Sequence, residues 1–161
     1  MEHTIKLKLK PEWDEIEPAR EKSSRFFETH GFSEDHVNSL IMVISELAEN
    51  AVKYGEYPGG KGSVGLSIEI DNKTVIIEVT NPVKTGDMSF LKHLDETIQW
   101  IRGFQDPFEA YAIRLKEVAT RPLADRESGL GLVRISYEGQ SILDFFVSDD
   151  NVLSVSAVYN Y

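Results

Sequence analysis

The most constraining stretch of the chain lies between positions 37 and 51, where Val37, Leu40, Ile41, Ile44, Leu47, Ala48 and Ala51 recur at i, i+3, i+4 and i+7. That period gathers them into one stripe of an α-helix, and so apolar a stripe has to be buried against a second layer. Ser33 supplies the start of this helix and Gly55 its end.

The second layer is predicted to be a sheet. Ile5, Leu7 and Leu9 alternate with Lys6, Lys8 and Lys10 up to Pro11, the period-two pattern of a half-exposed strand at a sheet edge. Acidic residues followed by Ile16, Ala19, Phe26 and Phe27 predict a helix from Trp13 to about Thr29, closed at Gly31. After a loop over 57–62, Val64, Leu66, Ile68 and Ile70 alternate, turn at Asp71-Asn72 and continue through Val75, Ile77 and Val79 as a hairpin. A second hairpin is expected from strands 141–147 and 152–158, joined at Asp149-Asp150-Asn151. The intervening segment, about 82–128, is charged. It reads as an inserted helical lid, helical around 88–102 and 107–119, with too few periodic apolar positions for a core. This order predicts an α+β fold in a single domain: a two-layer α/β sandwich whose mixed, mostly antiparallel sheet is covered on one face by helices.

Composition narrows the function classes. The 161 residues carry a formal net charge of −10, which disfavours a groove following a nucleic-acid backbone. There is no cysteine, hence no disulfide and no thiolate chemistry. The N-terminal residues hold no apolar run of the length needed for a membrane span or signal sequence, so a cytoplasmic protein is expected, with no membrane partner. His3, His30 and His36 lack metal-ligand spacing, His93 reads as a surface residue, and no carboxylate pair suggests a glycosidase.

Two segments carry residues that a buried stripe does not need. On the 37–51 helix, Glu46 and Asn50 stand at i and i+4, with Lys53 one turn on, so a carboxylate, an amide and an ammonium share one edge. Such a trio suits Mg²⁺ and phosphate, since hard oxygens hold the metal and a lysine neutralises phosphate oxygens. The same residues also fit a surface reading, in which Glu49 and Lys53 form an exposed pair contributing ~0.3–0.5 kcal/mol while Glu46 and Asn50 are simply solvated. The second segment, Glu127-Ser128-Gly129-Leu130-Gly131-Leu132, is a glycine-rich turn entering a helix. Free N–H groups at such a turn favour phosphate, although glycines there also serve merely to let a helix pack close to a sheet.

In this order, with a hairpin between them, the two segments resemble the N-box and second glycine box of the GHKL ATPase superfamily, from about residue 33 to the end. Within it the chain looks most like the small anti-sigma serine kinases, which share Ser-Glu followed four residues later by Asn-Ala. The resemblance implies the Bergerat ATP-binding fold, with ATP and Mg²⁺ as cofactors. Glu46 would be the general base for a substrate serine and Asn50 the Mg²⁺ ligand. Lys53 would contact the phosphates and Tyr54 would pack on the nucleotide. Ser128, Gly129, Leu130, Gly131 and Leu132 would form the second glycine box. Where the family shows Asp-x-Gly-x-Gly, this chain has Val79-Thr-Asn81-Pro-Val-Lys-Thr-Gly86. Asn81 stands in place of the adenine-reading aspartate, where its side-chain oxygen would still accept from an adenine amino group but as a weaker acceptor, and Gly86 stands alone for two glycines. Asn-Pro with a lone later glycine, a long lid and an intact Gly-Leu-Gly-Leu resembles a divergent branch that phosphorylates STAS-domain proteins. Arg121 and Arg126 of the lid would reach a γ-phosphate or remain solvated. The expected function is thus a protein serine kinase of partner-switching type. The alternative is a GHKL module with weak or no catalysis that regulates by binding a sigma factor or STAS partner. Relatives commonly pair into homodimers through the sheet edge or the first helix.

Overall fold

The structure, a computed structural model, describes residues 2–84, 86, 88–120 and 130–161. In chain order the elements are β1 (His3–Leu9), α1 (Ile16–Thr29), α2 (Glu34–Tyr54), β2 (Val64–Ile70), β3 (Thr74–Pro82), α3 (Ser89–Arg102), α4 (Pro107–Ala119), α5 (Gly131–Tyr137), β4 (Ser141–Val147) and β5 (Val152–Asn160). The α+β two-layer sandwich is present as expected.

The strands lie in the order β1-β2-β3-β5-β4. All four pairings are antiparallel, so the parallel component allowed for by a mixed sheet is absent among the described residues. The connections explain this. α1 and α2 run in series between β1 and β2, reversing the chain so that β2 returns antiparallel to β1. β4 runs parallel to β3, but β5 lies between them.

Register sorts the side chains into two faces. One row across the sheet reads Ile5, Ile68, Ile77, Ala157 and Leu143, and the next Leu7, Leu66, Val79, Val155 and Phe145. These rows meet the buried stripe of α2, where Leu40, Val43, Ile44, Leu47 and Ala48 are each at most 2% exposed. The opposite face shows Lys6, Ser67, Glu78, Ser156 and Asp144 in one row, so polarity alternates along each strand as the pleat requires.

The local signals explain where elements begin and end. The Ser33 hydroxyl accepts the His36 N–H and caps α2. Gly31, with φ of 83°, takes the left-handed conformation that ends α1. Beyond α2, the Tyr57 hydroxyl donates to the Ala51 carbonyl at 2.8 Å, tying the following loop to the last turn. Burial there pushes the Tyr57 phenol up to about 12.

One expectation is corrected. The segment after β3 does contribute to the core: Leu91, Leu94, Ile98 and Ile101 of α3 are buried in the same cluster as the strands. They stand at i, i+3, i+7 and i+10, a stripe too narrow to stand out among the charges around it. α4 is closer to what was expected, burying only Ala110 and Val118.

If α3 belongs to the core, truncating it should cost what a core truncation costs. Ile98→Ala is expected to lower the unfolding free energy by about 2–4 kcal/mol in urea titration. Ile142→Ala, on the exposed face of β4, should stay within about 0.5 kcal/mol.

Candidate functional site

The edge of α2 away from the sheet forms one wall of a cavity of about 500 Å³. Glu46, Glu49, Asn50, Lys53 and Tyr54 line it from α2, Gly131 and Leu132 from the start of α5, and Phe90, His93, Leu94 and Thr97 from α3. Trp13 and Arg114 complete the walls. Helical spacing explains the first group: packing the stripe against the sheet turns Glu46, Asn50 and Lys53 together towards the gap between α2 and α5. The volume lies within the range of about 300–1,000 Å³ typical of small-molecule sites.

Glu46 is held most firmly. Its Oε1 accepts from Arg134 Nη1 at 2.8 Å, and the Arg134 Nε donates to Glu138 Oε2 at 2.8 Å. A Cβ on Gly131 would sit 2.7 Å from Glu46 Oε2, so the missing side chain makes room for the carboxylate. Burial is the largest influence on Glu46 and raises its pKa above the ordinary carboxylate range. The Arg134 charge opposes the rise, and the Glu49 and Glu138 carboxylates add to it.

The aromatic residues order the opposite end. Tyr54 stacks on Phe90 with centroids 4.4 Å apart and planes at 15°, and Lys53 Nζ lies 5.1 Å from the Tyr54 ring centroid. Arg114 stacks over Trp100 at 4.9 Å, and its buried Nε lies 3.3 Å from Glu117 Oε2 as an ion pair, without hydrogen-bond geometry to any of the described residues.

Asn81 occupies a different place. It is the polar member of the inward-facing series Val75, Ile77, Val79 and Asn81 on β3, and it is 4% exposed. Its Nδ2 donates to the Pro82 carbonyl at 3.0 Å. The void beside it, also lined by Asn50, Ala51, Phe90, Leu94 and Leu132, measures only about 10 Å³. Such a space holds at most about one water molecule. The phosphate-binding end of a Mg²⁺–ATP site therefore fits the residues present, whereas an adenine ring beside Asn81 requires Phe90 and Leu94 to move.

Gly86 takes φ of 85° in the exposed loop between β3 and α3 and lines neither space. Leu130 precedes α5 at its N-cap position. Ser128, Gly129, Arg121 and Arg126 lie outside the described residues. Sequence reasoning missed Arg134, Arg114, Trp13 and the aromatic partner Phe90. The one available signal was Arg134 itself, a charged residue beside the buried positions Val133 and Ile135.

Because the carboxylate and Gly131 occupy adjoining space, Gly131→Ala should push Glu46 away from Arg134 and leave the fold intact. The expected change in unfolding free energy is under about 1 kcal/mol, since alanine also favours the helix by that order. Thermal unfolding checks the stability, and side-chain NMR of Arg134 checks the loss of its partner.

No protein-family model matches the chain, and no curated protein matches its sequence. No helix among the described residues is long and apolar enough to cross a membrane. Among solved structures, a chain in the crystal structure of the SiaB–SiaC complex from Pseudomonas aeruginosa is similar to this one, with a TM-score of 0.75 at 18% identity over 96% of this chain and 88% of that chain. At that identity, the likeness shows a shared fold.

Proposed function

We propose that the chain is an ATP- and Mg²⁺-dependent protein serine kinase of partner-switching type, acting on a STAS-domain protein. The observation that carries this reading is the shared cavity. The carboxylate, amide and ammonium of α2 share a cavity of about 500 Å³ with Gly131 and Leu132 at the start of α5, an arrangement that suits a metal-bound triphosphate. The similar fold found in a complex of two proteins supports a protein partner.

In this reading Asn50 would offer its amide oxygen to Mg²⁺, and Lys53 and Arg114 would neutralise phosphate oxygens. When bound, ATP·Mg²⁺ supplies the transferable phosphoryl group and the metal's charge. Glu46 accepts the proton of the partner's serine hydroxyl as that oxygen takes up the phosphoryl group, and ADP leaves. A carboxylate with a raised pKa is a stronger base than an ordinary one, yet it must be ionised to act.

The second reading is a GHKL module that binds a sigma factor or STAS partner with little or no catalysis. It is favoured by the small void beside Asn81, which α3 fills with Phe90 and Leu94.

Calorimetry with ATP and Mg²⁺ separates the two. The kinase reading expects binding that Asn50→Ala abolishes, while Glu46→Ala keeps affinity and removes transfer to a STAS partner. No heat of binding at millimolar nucleotide would sink it in favour of the module. For an active enzyme, kcat/KM should rise with pH as Glu46 ionises. The midpoint of that acid limb should lie above the value of about 4.3 for a free glutamate.

A further inference from the structure

Arg134 has no counterpart in the motifs that point to nucleotide, yet it makes the shortest ion pair spanning the candidate site. It joins α5 to α2 between residues 88 positions apart. Its own partner Glu138, one helical turn along, fixes the guanidinium through Nε. The side chain is 39% exposed and that of Glu46 18%, so the carboxylate, which lines the cavity, is the drier member of the pair.

The guanidinium occupies Oε1 of Glu46, and Gly131 leaves space for Oε2. Among the described residues Oε2 accepts no hydrogen bond. We infer that Arg134 is the positioning residue for Glu46: anchored by Glu138, it holds the carboxylate ionised and turned so that Oε2 receives the proton of the partner's hydroxyl. This rests on the reading of Glu46 as proton acceptor.

The opposing influences on Glu46 support the assignment. Burial and the neighbouring Glu49 and Glu138 carboxylates favour the protonated form, and Arg134 is the cation that counters them. Lys53 on α2, Arg114 on α4 and His93 on α3 also face the cavity, but among the described residues none forms an ion pair with Glu46. Without Arg134, the group would keep its like-charged neighbours and lose the bonded cation, so its pKa is expected to rise. Glu138 acts one step further back, as the anchor of the anchor. Its removal frees Arg134 to swing but also removes a negative charge, and its effect on Glu46 should therefore be smaller.

The test follows the Glu46 carboxyl carbon by NMR as pH is varied, in the wild-type chain and in Arg134→Ala, Arg134→Lys and Glu138→Ala, alongside transfer kinetics to the STAS partner. Arg134→Ala should raise the Glu46 midpoint by roughly half to one pH unit. The acid limb of kcat/KM should move with it, with KM for the partner unchanged. Arg134→Lys should restore part of both shifts, because a point charge returns without the fork. An unmoved midpoint, or an acid limb that stays fixed while the midpoint moves, overturns the role of Arg134. If Arg134→Ala fails to fold, Arg134→Lys carries the same decision, with an upward shift smaller than that expected for alanine. Absence of transfer by the wild-type chain instead removes the kinase reading, and the positioning role of Arg134 with it, so the two failures are told apart.

Discussion

The contact between α2 and the inward face of the sheet is the interaction on which the rest of the molecule depends. Leu40, Val43, Ile44 and Leu47 are essentially removed from water, and each such side chain contributes about 1.5–3 kcal/mol of burial. No rotation of the helix about its axis could keep those groups buried and still change which residues face outward. The same packing that stabilises the sandwich therefore points Glu46, Asn50 and Lys53 into the cavity. Core and site are two sides of one helix.

The site is organised by a conflict between burial and charge. Two carboxylates, Glu46 and Glu49, and the cations Lys53 and Arg114 line one space, and Arg134 reaches it through its ion pair with Glu46. Glu49 and Lys53 remain exposed and keep their water, whereas Glu46 gives up much of its hydration and depends on a bonded cation. Arg134 is divided between two carboxylates, one on each side of the helix junction. That division makes α5 more than a closing element, because its orientation reaches the carboxylate of α2.

The sheet's two edges are treated differently from its centre. β1 carries Lys6 and Lys8 on its exposed face, and charge at an edge discourages another strand from adding there. At the other edge, Arg102 Nη2 donates to the Leu143 carbonyl at 2.6 Å and Asp144 accepts the Phe145 N–H at 2.9 Å. Backbone groups that would otherwise recruit a strand are thus occupied by side chains of α3 and β4. Association through the β4 edge would have to displace Arg102.

By itself, the sequence determined the elements whose evidence is local. The 3.6-residue period set α2, the alternation of Val75, Ile77 and Val79 set β3, and Ser33 and Gly31 set the helix boundaries, because each depends on residues a few positions apart. It also determined that Glu46, Asn50 and Lys53 share a helix edge, which is a matter of spacing. Only the tertiary structure decided that α3 enters the core, since four apolar residues spread over three turns become a buried stripe only when a sheet and a neighbouring helix cover them. It alone closed the space beside Asn81 with Phe90 and Leu94. It alone joined Arg134 to Glu46, because an ion pair across 88 residues leaves no periodic trace in the chain. Charge pairing at such separation is set by where whole helices lie, and that position is fixed by the packing of the core.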